Sequence, residues 1–555
     1  MKCIIIGGVA GGATVAARLR RMDESATIIL LERGSHISYA NCGLPYYIGN
    51  TITDRNDLFL QTPTTFGNRF DVDVRIHANV TAIDPDNKCV IYTQLDNGKE
   101  LKESYDKLVL SPGAEPIKPA ISGIHLPNIF TLRDIPDTDA IHAHLQSLSK
   151  KPARAAIIGA GFIGLEMAEN LHHLGMDVTI IEKADYVLPI ADWEISAFVE
   201  KHLKEKNIHL YTHNGVAEFK EVGEQTEIIL ENGESLLSDF VLLSIGIRAR
   251  TELAKNAGLT VGARGGIIVN EYMQTTIPDI YAVGDAIEFP HPITHQSSTC
   301  FLAGPTNKQA RICANNIATG NTQSYHGTIA TAIAKVFDLT VGMCGLSAAE
   351  LRKNNIPFST SITHTASHAT YYPGSFPITI KIHFAPQTGK ILGVQVVGKE
   401  GTDKRLDVMA QVIAHQGTIY DLTDFDHAYA PPYSSTKDAV TVAGYVAENI
   451  INQQVRTIQW NELQNWLQDK NRDFLLIDVR SFLENKAGNI AGSVNYPLDE
   501  LREYLDDIPT DKTIVIYCAI GLRGYIASRI LVQSGFENVL NLAGGYRTYQ
   551  ICTQK

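Results

Sequence analysis

"RAAIIGAGFIGLEMAENLHHLGMDVTIIEK", residues 154–183, contains a short apolar strand, a glycine turn, a helix and a second strand. Its three turn glycines stand in full GxGxxG register: Gly159, Gly161 and Gly164. In such a unit a diphosphate binds at the helix N-terminus, and the acid that ends the second strand, here Glu182, binds a ribose. A carboxylate there repels a 2′-phosphate, so we expect NADH rather than NADPH, although Lys183 weakens this preference.

The chain begins with a second unit of the same kind. "CIIIGGVAGGATVAARLRR" (residues 3–21) predicts a strand, a glycine turn and a helix, and "ATIILLE" (residues 26–32) predicts the next strand. The register is imperfect because Val9 occupies the second glycine position. The candidate nucleotide-binding residues lie in the turn and at the strand end: Gly7, Gly8, Gly11, Gly12, Glu32 and Arg33. Two units imply two bound dinucleotides.

Length and composition set the frame for these units. The 555 residues predict three or four domains, because one core rarely serves so long a chain. The 48 basic and 60 acidic residues give a net charge of −12, which argues against a general nucleic-acid or anionic-membrane binder. The eight cysteines show no CxxC and no clustered Cys/His spacing, so neither a metal site nor a disulfide framework is indicated. No apolar run approaches the roughly 18 residues of a membrane span, and we expect a protein of the reducing cytoplasm.

Three further stretches carry a family resemblance: "KLVLSPGAEP" (107–116), "FVLLSIGIRAR" (240–250) and "TTIPDIYAVGDAIE" (275–288). Together with the first glycine unit they resemble, in order, the motifs of the pyridine nucleotide-disulfide oxidoreductase family. The resemblance implies FAD in the first unit, NADH in the second, and Asp285 on the ribityl chain of the flavin.

The resemblance also implies an α/β fold with two Rossmann-like, glutathione-reductase-like domains, and an α+β dimerisation domain that makes the protein a homodimer. The predicted boundaries are 1–113 with 247–322 for the FAD-binding domain, 114–246 for the NADH-binding domain and 323–450 for the dimerisation domain.

A lone cysteine, Cys42, stands in "SHISYANCGLPYYIG", residues 35–49. Many members of the family carry two redox cysteines spaced C-x4-C in this region, whereas Cys42 has no such partner. It must therefore store oxidation as a mixed disulfide, a persulfide or a sulfenic acid. We expect a helix start there to favour the thiolate, which is the nucleophile.

Two single-cysteine groups compete for this pattern. NADH oxidases and peroxidases use a sulfenic acid, and coenzyme A-disulfide reductases form a mixed disulfide with coenzyme A. "SYANCGLPYYIG" and "GGATVAARLRR" resemble the second group. That resemblance implies substrate contacts from residues near the cysteine, on the first helix and farther along the chain: Thr14, Arg18, Arg21, Ser38, Asn41, Asn307 and Lys437.

Tyrosines later in the chain match the same group. Coenzyme A-disulfide reductases place two tyrosines from the partner subunit near the sulfur atoms, where a phenol can protonate a leaving thiolate. "ASHATYYPG" and "DHAYAPPYSSTKDAV" suggest Tyr371 and Tyr429, with Tyr372 as an alternative to Tyr371.

The last hundred residues resemble a rhodanese domain, predicted at 458–555 as a C-terminal α/β unit. "LLIDVRSFLENKAGNIAGSVNYPL" (475–498) matches a rhodanese run, with Asn489 where histidine is usual, and "CAIGLRG" (518–524) matches the active loop. Backbone N–H groups of such a loop can stabilise a persulfide anion on Cys518, and we expect Arg523 to bind an anionic donor or acceptor.

The combination predicts an FAD-dependent enzyme that uses NADH to reduce coenzyme A disulfide, coenzyme A persulfide or polysulfide at Cys42, while Cys518 handles sulfane sulfur. Coenzyme A and small sulfane-sulfur molecules are its expected partners. The alternative is an NADH oxidase or peroxidase whose rhodanese domain only docks or senses.

Overall fold

The computed structural model describes residues 1–148 and 152–554. The chain forms two compact units. The first comprises Met1–Asp185 and Ile208–Ala330, and the second comprises Tyr186–Asn207 and Thr331–Lys555. Among the described helices, none combines the length and the apolar character that a bilayer crossing requires.

The first unit contains two parallel five-stranded sheets, one for each glycine unit. The strands of the first sheet are, in spatial order, Ile280–Ala282, Lys107–Leu110, Lys2–Ile6, Thr27–Leu31 and Asp73–Arg75. The strands of the second are His209–Tyr211, Asp177–Ile181, Arg154–Ile158, Phe240–Leu243 and Ile129–Phe130. The central strands are almost fully buried because helices cover both faces of such sheets.

Smaller sheets complete the first unit. Two are antiparallel and three-stranded, Ala78–Asp84 with Cys89–Gln94 and Lys99–Ser104, and Val216–Val222 with Gln225–Leu230 and Ser235–Ser238. A ribbon pairs Ala114–Pro116 with Ile247–Ala249, and a mixed sheet joins Ile267–Ile268, Ile287–Pro290 and Ser297–Ser298. The α-helices are Ala10–Met22, Leu44–Ile48, Pro63–Phe70, Ile135–Ser147, Phe162–His173, Glu252–Asn256 and Ala303–Thr319.

The second unit begins with an antiparallel five-stranded sheet: Ala332–Val336, Leu339–Gly345, Ile391–Gly398, Pro377–Phe384 and Ser359–Ala366, in spatial order. Its helices are Trp193–Glu205, Ala348–Lys353, Thr402–Ala414, Ile419–Thr423 and Ala439–Ile451. Every residue of Ile391–Gly398 is buried, as expected for the middle strand of a covered sheet.

A parallel five-stranded sheet closes the second unit: Thr457–Ile458, Val539–Leu542, Thr513–Tyr517, Phe474–Asp478 and Val494–Asn495, in spatial order. The helices around it are Trp460–Gln468, Phe482–Ala487, Leu522–Gln533 and Gly545–Thr553. This sheet has apolar clusters of its own, which include Ile477, Ile516 and Leu531 in one and Val515 and Leu542 in another. A separate core is what the sequence predicted for the last hundred residues.

Residues 186–207 belong to the second unit, although they interrupt the predicted NADH-binding segment 114–246. A buried polar network at the start of the helix Trp193–Glu205 joins this segment to the second unit. The Asp192 carboxylate lies 2.9 Å from Lys381 Nζ and 2.6 Å from His383 Nε2. Desolvation opposes ionisation of Asp192, but the hydrogen bond from His383 and the Lys381 charge hold its pKa below the ordinary value. The predicted domain boundaries stay predictions.

Candidate active sites

In the glycine turn of the first unit, neither Gly7 nor Gly12 could be replaced by a residue with a side chain. Gly7 has a φ of 95°, and a Cβ atom there would overlap the Ser111 carbonyl oxygen. A Cβ atom on Gly12 would overlap the Gly7 carbonyl oxygen. Val9 is the N-cap residue of the helix Ala10–Met22, and its side chain makes no hydrogen bond to the first N–H groups of that helix. These N–H groups can therefore bind a diphosphate, and the turn fits the flavin nucleotide despite Val9.

Glu32 is held at the end of its strand by two backbone groups. Its Oε2 accepts a hydrogen bond from Gly8 N at 2.7 Å and its Oε1 accepts one from Gly34 N at 2.7 Å. Arg33, predicted beside it, is exposed. The carboxylate thus has a defined position next to the turn, and its ribose contact stays a prediction.

The second unit repeats this geometry. Glu182 accepts from Ala160 N at 2.7 Å and from Ala184 N at 2.8 Å, as Glu32 does around the first turn. Gly159 has a φ of 103°, whereas the space that a Cβ atom would take at Gly161 is open within 4 Å. Open space at the second glycine lets a diphosphate approach the backbone, so this turn fits NADH.

Lys183 is not available as a free charge beside Glu182. Its Nζ lies 2.7 Å from Glu231 Oε1, a residue 48 positions away. An ammonium paired in this way attracts a 2′-phosphate less strongly, so the pairing favours NADH over NADPH.

Asp285 follows the strand Ile280–Ala282 and forms an ion pair with Arg133, whose guanidinium lies 2.9 Å from Asp285 Oδ2. Both charges act on Cys42: Asp285 raises the pKa of its thiol and Arg133 lowers it. The structure therefore brings the predicted ribityl ligand and the predicted redox cysteine into one neighbourhood. Sequence reasoning missed Arg133, which lies in no recognised motif.

Cys42 lies in the 3-10 turn Asn41–Gly43, just before the short helix Leu44–Ile48, and is exposed. Its Sγ lies 3.8 Å from Asn41 Oδ1. Although solvent reaches the thiol, the surrounding protein removes part of its hydration and raises its pKa, and Glu166 raises it further. The expectation that the helix start favours the thiolate is wrong, because a five-residue helix does not offset desolvation and two carboxylates.

Glu166 is a second residue that sequence reasoning missed, although it stands two positions after Gly164 in the motif helix. Tyr46 OH donates to Glu166 Oε1 over 3.5 Å. Burial raises the Glu166 pKa to about 7 and the Tyr46 pKa to about 12. Glu166 thus changes charge near neutral pH within electrostatic range of Cys42.

The predicted phosphate-binding residues line the contact between the helices Ala10–Met22 and Ala303–Thr319. Thr14 Oγ1 donates to Asn307 Oδ1 at 2.8 Å. The two residues are 293 positions apart in the sequence, and both were predicted to contact coenzyme A. Arg18 Nε donates to Asn315 Oδ1 at 2.8 Å.

The same contact concentrates positive charge. Desolvation, then the charges of Arg311 and Arg21, lower the Arg18 pKa. A cluster of three guanidinium groups can bind a polyphosphate. Arg311 is an addition that the sequence did not suggest.

Ser38 is pinned beside the first turn. Its φ is 46°, its N–H donates to the Gly8 carbonyl at 2.9 Å, and its carbonyl accepts from Leu60 N at 3.0 Å. This segment leads directly to Asn41 and Cys42.

In the second unit, Tyr371 and Tyr429 form the pair that the sequence suggested. Their hydroxyl oxygens lie 3.0 Å apart, and the side chains are 74% and 44% exposed. Tyr372 instead packs edge-on against the His368 ring, with 5.7 Å between the centroids. Geometry therefore favours Tyr371 over Tyr372. Lys437 is exposed next to Asp438, which caps the helix Ala439–Ile451.

The Cys518 loop has the form of an anion-binding nest. Cys518 directly follows the strand Thr513–Tyr517, and its buried Sγ accepts a hydrogen bond from Gly521 N at 3.1 Å. Gly521 has a φ of 104°, a conformation that places its N–H toward the sulfur without steric cost. The backbone can thus stabilise a sulfur anion.

Arg523, which was predicted to bind an anionic donor or acceptor, forms an ion pair with Glu484. Its two terminal nitrogens lie 2.7 and 2.6 Å from the two oxygens of Glu484. The Arg523 hydrogen bond lowers the Glu484 pKa to about 2. The predicted binding of an anionic donor or acceptor by Arg523 stays a prediction, and the structure shows that Arg523 is already paired with Glu484.

Comparisons with known proteins agree with this architecture. The family described as pyridine nucleotide-disulphide oxidoreductase matches residues 1–305, its dimerisation domain matches 331–440, and a rhodanese-like domain matches 459–552. Coenzyme A disulfide reductase of Staphylococcus epidermidis is 33% identical over 447 residues, which is 80% of this chain and 100% of the relative.

Solved structures match over a greater length. The reduced Bacillus anthracis CoADR-RHD has a TM-score of 0.96 at 45% identity, covering 99% of this chain and 98% of that one. A NAD-dependent persulfide reductase from A. fulgidus has a TM-score of 0.91 at 36% identity, covering 99% and 100%. A water-forming NADH oxidase from Lactobacillus brevis has a TM-score of 0.78 at 27% identity, covering 82% and 99%.

These matches confirm the predicted fold class and the predicted enzyme class. The chain belongs to the pyridine nucleotide-disulphide oxidoreductase family, as a FAD- and NADH-dependent relative of coenzyme A disulfide reductase that carries a C-terminal rhodanese domain.

Proposed function

We propose that this enzyme uses NADH to reduce a coenzyme A-linked disulfide or persulfide, or polysulfide, at Cys42, and that Cys518 carries the sulfane sulfur. The observation that carries the proposal is the presence of two different sulfur sites in one chain. Cys42 is exposed in the nucleotide-binding unit, and Cys518 is buried with a backbone N–H on its sulfur.

Bound FAD would supply the two-electron chemistry that links NADH to a disulfide. The glycine turns and the acids Glu32 and Glu182 would hold the two nucleotides. Cys42 would attack the substrate and hold its thiol half as a mixed disulfide, because no second cysteine follows within five residues. Arg133 would oppose the rise in the Cys42 pKa that desolvation causes.

The coenzyme A phosphates would bind where Thr14 meets Asn307 and where Arg18, Arg21 and Arg311 lie together. Guanidinium groups bind phosphate oxygens in a bidentate manner. Ser38, Asn41 and Lys437 complete the predicted substrate contacts. Coenzyme A disulfide is the substrate that the name of the Staphylococcus epidermidis relative gives for that protein.

The dimerisation-domain match supports a homodimer in which the Tyr371–Tyr429 pair serves the Cys42 of the partner subunit. The hydrogen bond between the two hydroxyl groups, and after it desolvation, raise the Tyr429 pKa, as expected when Tyr429 donates to Tyr371. The Tyr429 phenol therefore remains protonated near neutral pH and can donate a proton to a leaving thiolate.

Mass spectrometry of the purified protein under non-reducing conditions tests the subfamily. We expect an adduct of coenzyme A mass on the peptide that contains Cys42, released by NADH in the FAD-loaded enzyme. Rapid oxygen uptake with NADH alone, together with a sulfenic acid in place of the adduct, would instead support the oxidase or peroxidase alternative.

A Cys518→Ser variant tests the second sulfur site. We expect unchanged NADH consumption with coenzyme A disulfide and slower hydrosulfide release from a polysulfide. Equal rates of hydrosulfide release in both proteins would leave Cys518 as part of a docking or sensing domain.

A further inference from the structure

The inference concerns Glu484, and it rests on the proposed role of Cys518 as a sulfur carrier. Glu484 lies in the helix Phe482–Ala487, and Arg523 lies in the first turn of the helix that follows the active loop. The two side chains meet through two short hydrogen bonds of 2.6 and 2.7 Å. The charge of the active-loop arginine is thereby neutralised within the domain.

Glu484 is held in place independently of Arg523. Its Oε2 also accepts from Ser481 N at 3.1 Å and from Ser481 Oγ at 3.0 Å, which forms a capping box at the start of its helix. The carboxylate is therefore positioned before any substrate arrives. An anion that binds Arg523 must therefore compete with a carboxylate that is already in place.

Two further arginines near the loop are engaged as well. Arg480 donates to Asp478 Oδ2 at 2.7 Å and stacks on Tyr517 and Tyr546, which flank the loop in the fold. Arg547 lies over the Phe198 ring at 5.7 Å, and burial lowers its pKa. All three arginines, Arg523, Arg480 and Arg547, thus already have a partner. The hydrogen bond that the structure shows to the Cys518 sulfur comes from a backbone N–H group, that of Gly521.

Exposed apolar side chains lie on both segments that the ion pair joins. Two exposed side chains come from the loop and two from the start of the Glu484 helix: Ile520, Leu522, Phe482 and Leu483, which are 39%, 62%, 66% and 76% exposed. The Arg523–Glu484 ion pair joins these two segments. A donor that approaches Cys518 would therefore meet hydrocarbon and a neutral ion pair.

We propose that Glu484 determines the donor specificity of Cys518. By neutralising Arg523 it disfavours thiosulfate, a small dianion, relative to a persulfide whose sulfane sulfur is carried on an uncharged alkyl group. In both reactions the Cys518 thiolate attacks the sulfane sulfur. The bond from that sulfur to its carrier breaks, and the carrier leaves with the electron pair as a thiolate or as sulfite. Cys518 becomes a persulfide anion, and any proton on the sulfane sulfur of an alkyl persulfide passes to the leaving thiolate.

The test measures second-order rate constants for loading of Cys518 in the full-length FAD-bound enzyme, by mass spectrometry of the Cys518 peptide. The probes are thiosulfate and propyl persulfide. Glu484→Gln keeps the capping box, because glutamine also serves at that position, and removes the charge. We expect thiosulfate loading to rise about tenfold, the effect of one charge-assisted contact, and propyl persulfide loading to change less than about twofold.

Controls separate charge from folding. Glu537→Gln removes an exposed carboxylate of the same domain, and we expect it to leave both constants unchanged. In the double variant Glu484→Gln/Arg523→Gln the gain with thiosulfate should vanish. In wild-type enzyme, thiosulfate loading should depend little on ionic strength, a measurement that needs no variant.

Three results would overturn the inference. These are no gain with thiosulfate in Glu484→Gln, an equal gain with both donors, or a steep fall of the wild-type thiosulfate rate with salt. If Cys518 takes sulfur from neither donor, the proposed role of Cys518 fails and the inference fails with it. If both donors load Cys518 and any of the three results is found, Cys518 remains a sulfur carrier and only the proposed role of Glu484 is wrong.

Discussion

His364 Nε2 lies 2.8 Å from Thr548 Oγ1, and this contact joins the antiparallel sheet of the second unit to its last helix. On its other side His364 Nδ1 lies 2.8 Å from Thr379 Oγ1. The helix that carries Thr548 also supports the active loop, because Tyr546 N donates to the Cys518 carbonyl at 2.7 Å. The Cys518 loop is therefore held by a helix that is anchored outside the rhodanese domain.

We predict that acid weakens this anchor through His364. Burial lowers the His364 pKa from 6.5 to about 3, so the folded protein keeps the ring neutral while the unfolded chain protonates it. The stability that this brings is present above pH 6.5 and is lost as pH falls toward 3, by about 1.4 kcal/mol per pH unit. Calorimetry at pH 7, 6 and 5 should show a falling Tm.

Burial also lowers the pKa of His383, so the contribution of His364 to the pH dependence of Tm must be measured with variants. His364→Gln should be less stable at pH 7 and should show a flatter pH dependence than wild type. His415→Gln, at an exposed position, should behave as wild type. An unchanged slope in His364→Gln would show that His364 does not titrate between these pH values.

Glu166 should make Cys42 sensitive to pH near 7. Its carboxyl, with a pKa raised by burial to about 7, is neutral in acid and charged above that pH, and its charge raises the Cys42 pKa. In Glu166→Gln we expect the rate of Cys42 alkylation by iodoacetamide to rise at a lower pH than in wild type. Glu166→Asp keeps the charge and should not produce this shift, and an identical profile in all three proteins would contradict the prediction.

The tyrosine pair should contribute to turnover through its hydroxyl groups. We expect Tyr371→Phe and Tyr429→Phe each to lower turnover with coenzyme A disulfide about tenfold or more, because general acid catalysis typically contributes this much. Tyr433→Phe, a change at a 70% exposed tyrosine outside the pair, is the control. A larger loss in Tyr372→Phe than in Tyr371→Phe would assign the proton-donor role to Tyr372.

Glu231 should strengthen the preference for NADH. Because Glu231 holds Lys183 at 2.7 Å, Glu231→Gln should free the ammonium for a 2′-phosphate. We expect kcat/KM for NADPH to rise about threefold, the small effect typical of an exposed pair, while kcat/KM for NADH stays unchanged. Glu234→Gln, at a nearby exposed position, should change neither value, and a rise for both cofactors would exclude a role in selection.

The sequence alone determined the two nucleotide units, the rhodanese domain and the identity of the two candidate sulfur sites. Each of these depends on signals that lie within about twenty residues, such as the glycine register from Gly159 to Gly164 and the acid that ends the next strand. Such local signals can be recognised in the sequence without knowing how the chain packs. The expectation that failed, a thiolate favoured at Cys42, concerned solvation, which depends on residues far away in the chain.

Only the tertiary structure decided which charges face these sites. Arg133 and Asp285 are 152 residues apart, Arg523 and Glu484 are 39 apart, and His364 and Thr548 are 184 apart. The sheets and helices that carry them determine these contacts, and no spacing in the sequence encodes them. Because charge and desolvation act through space, the pKa of Cys42 and the proposed donor preference of Cys518 depend on neighbours that only folding brings together.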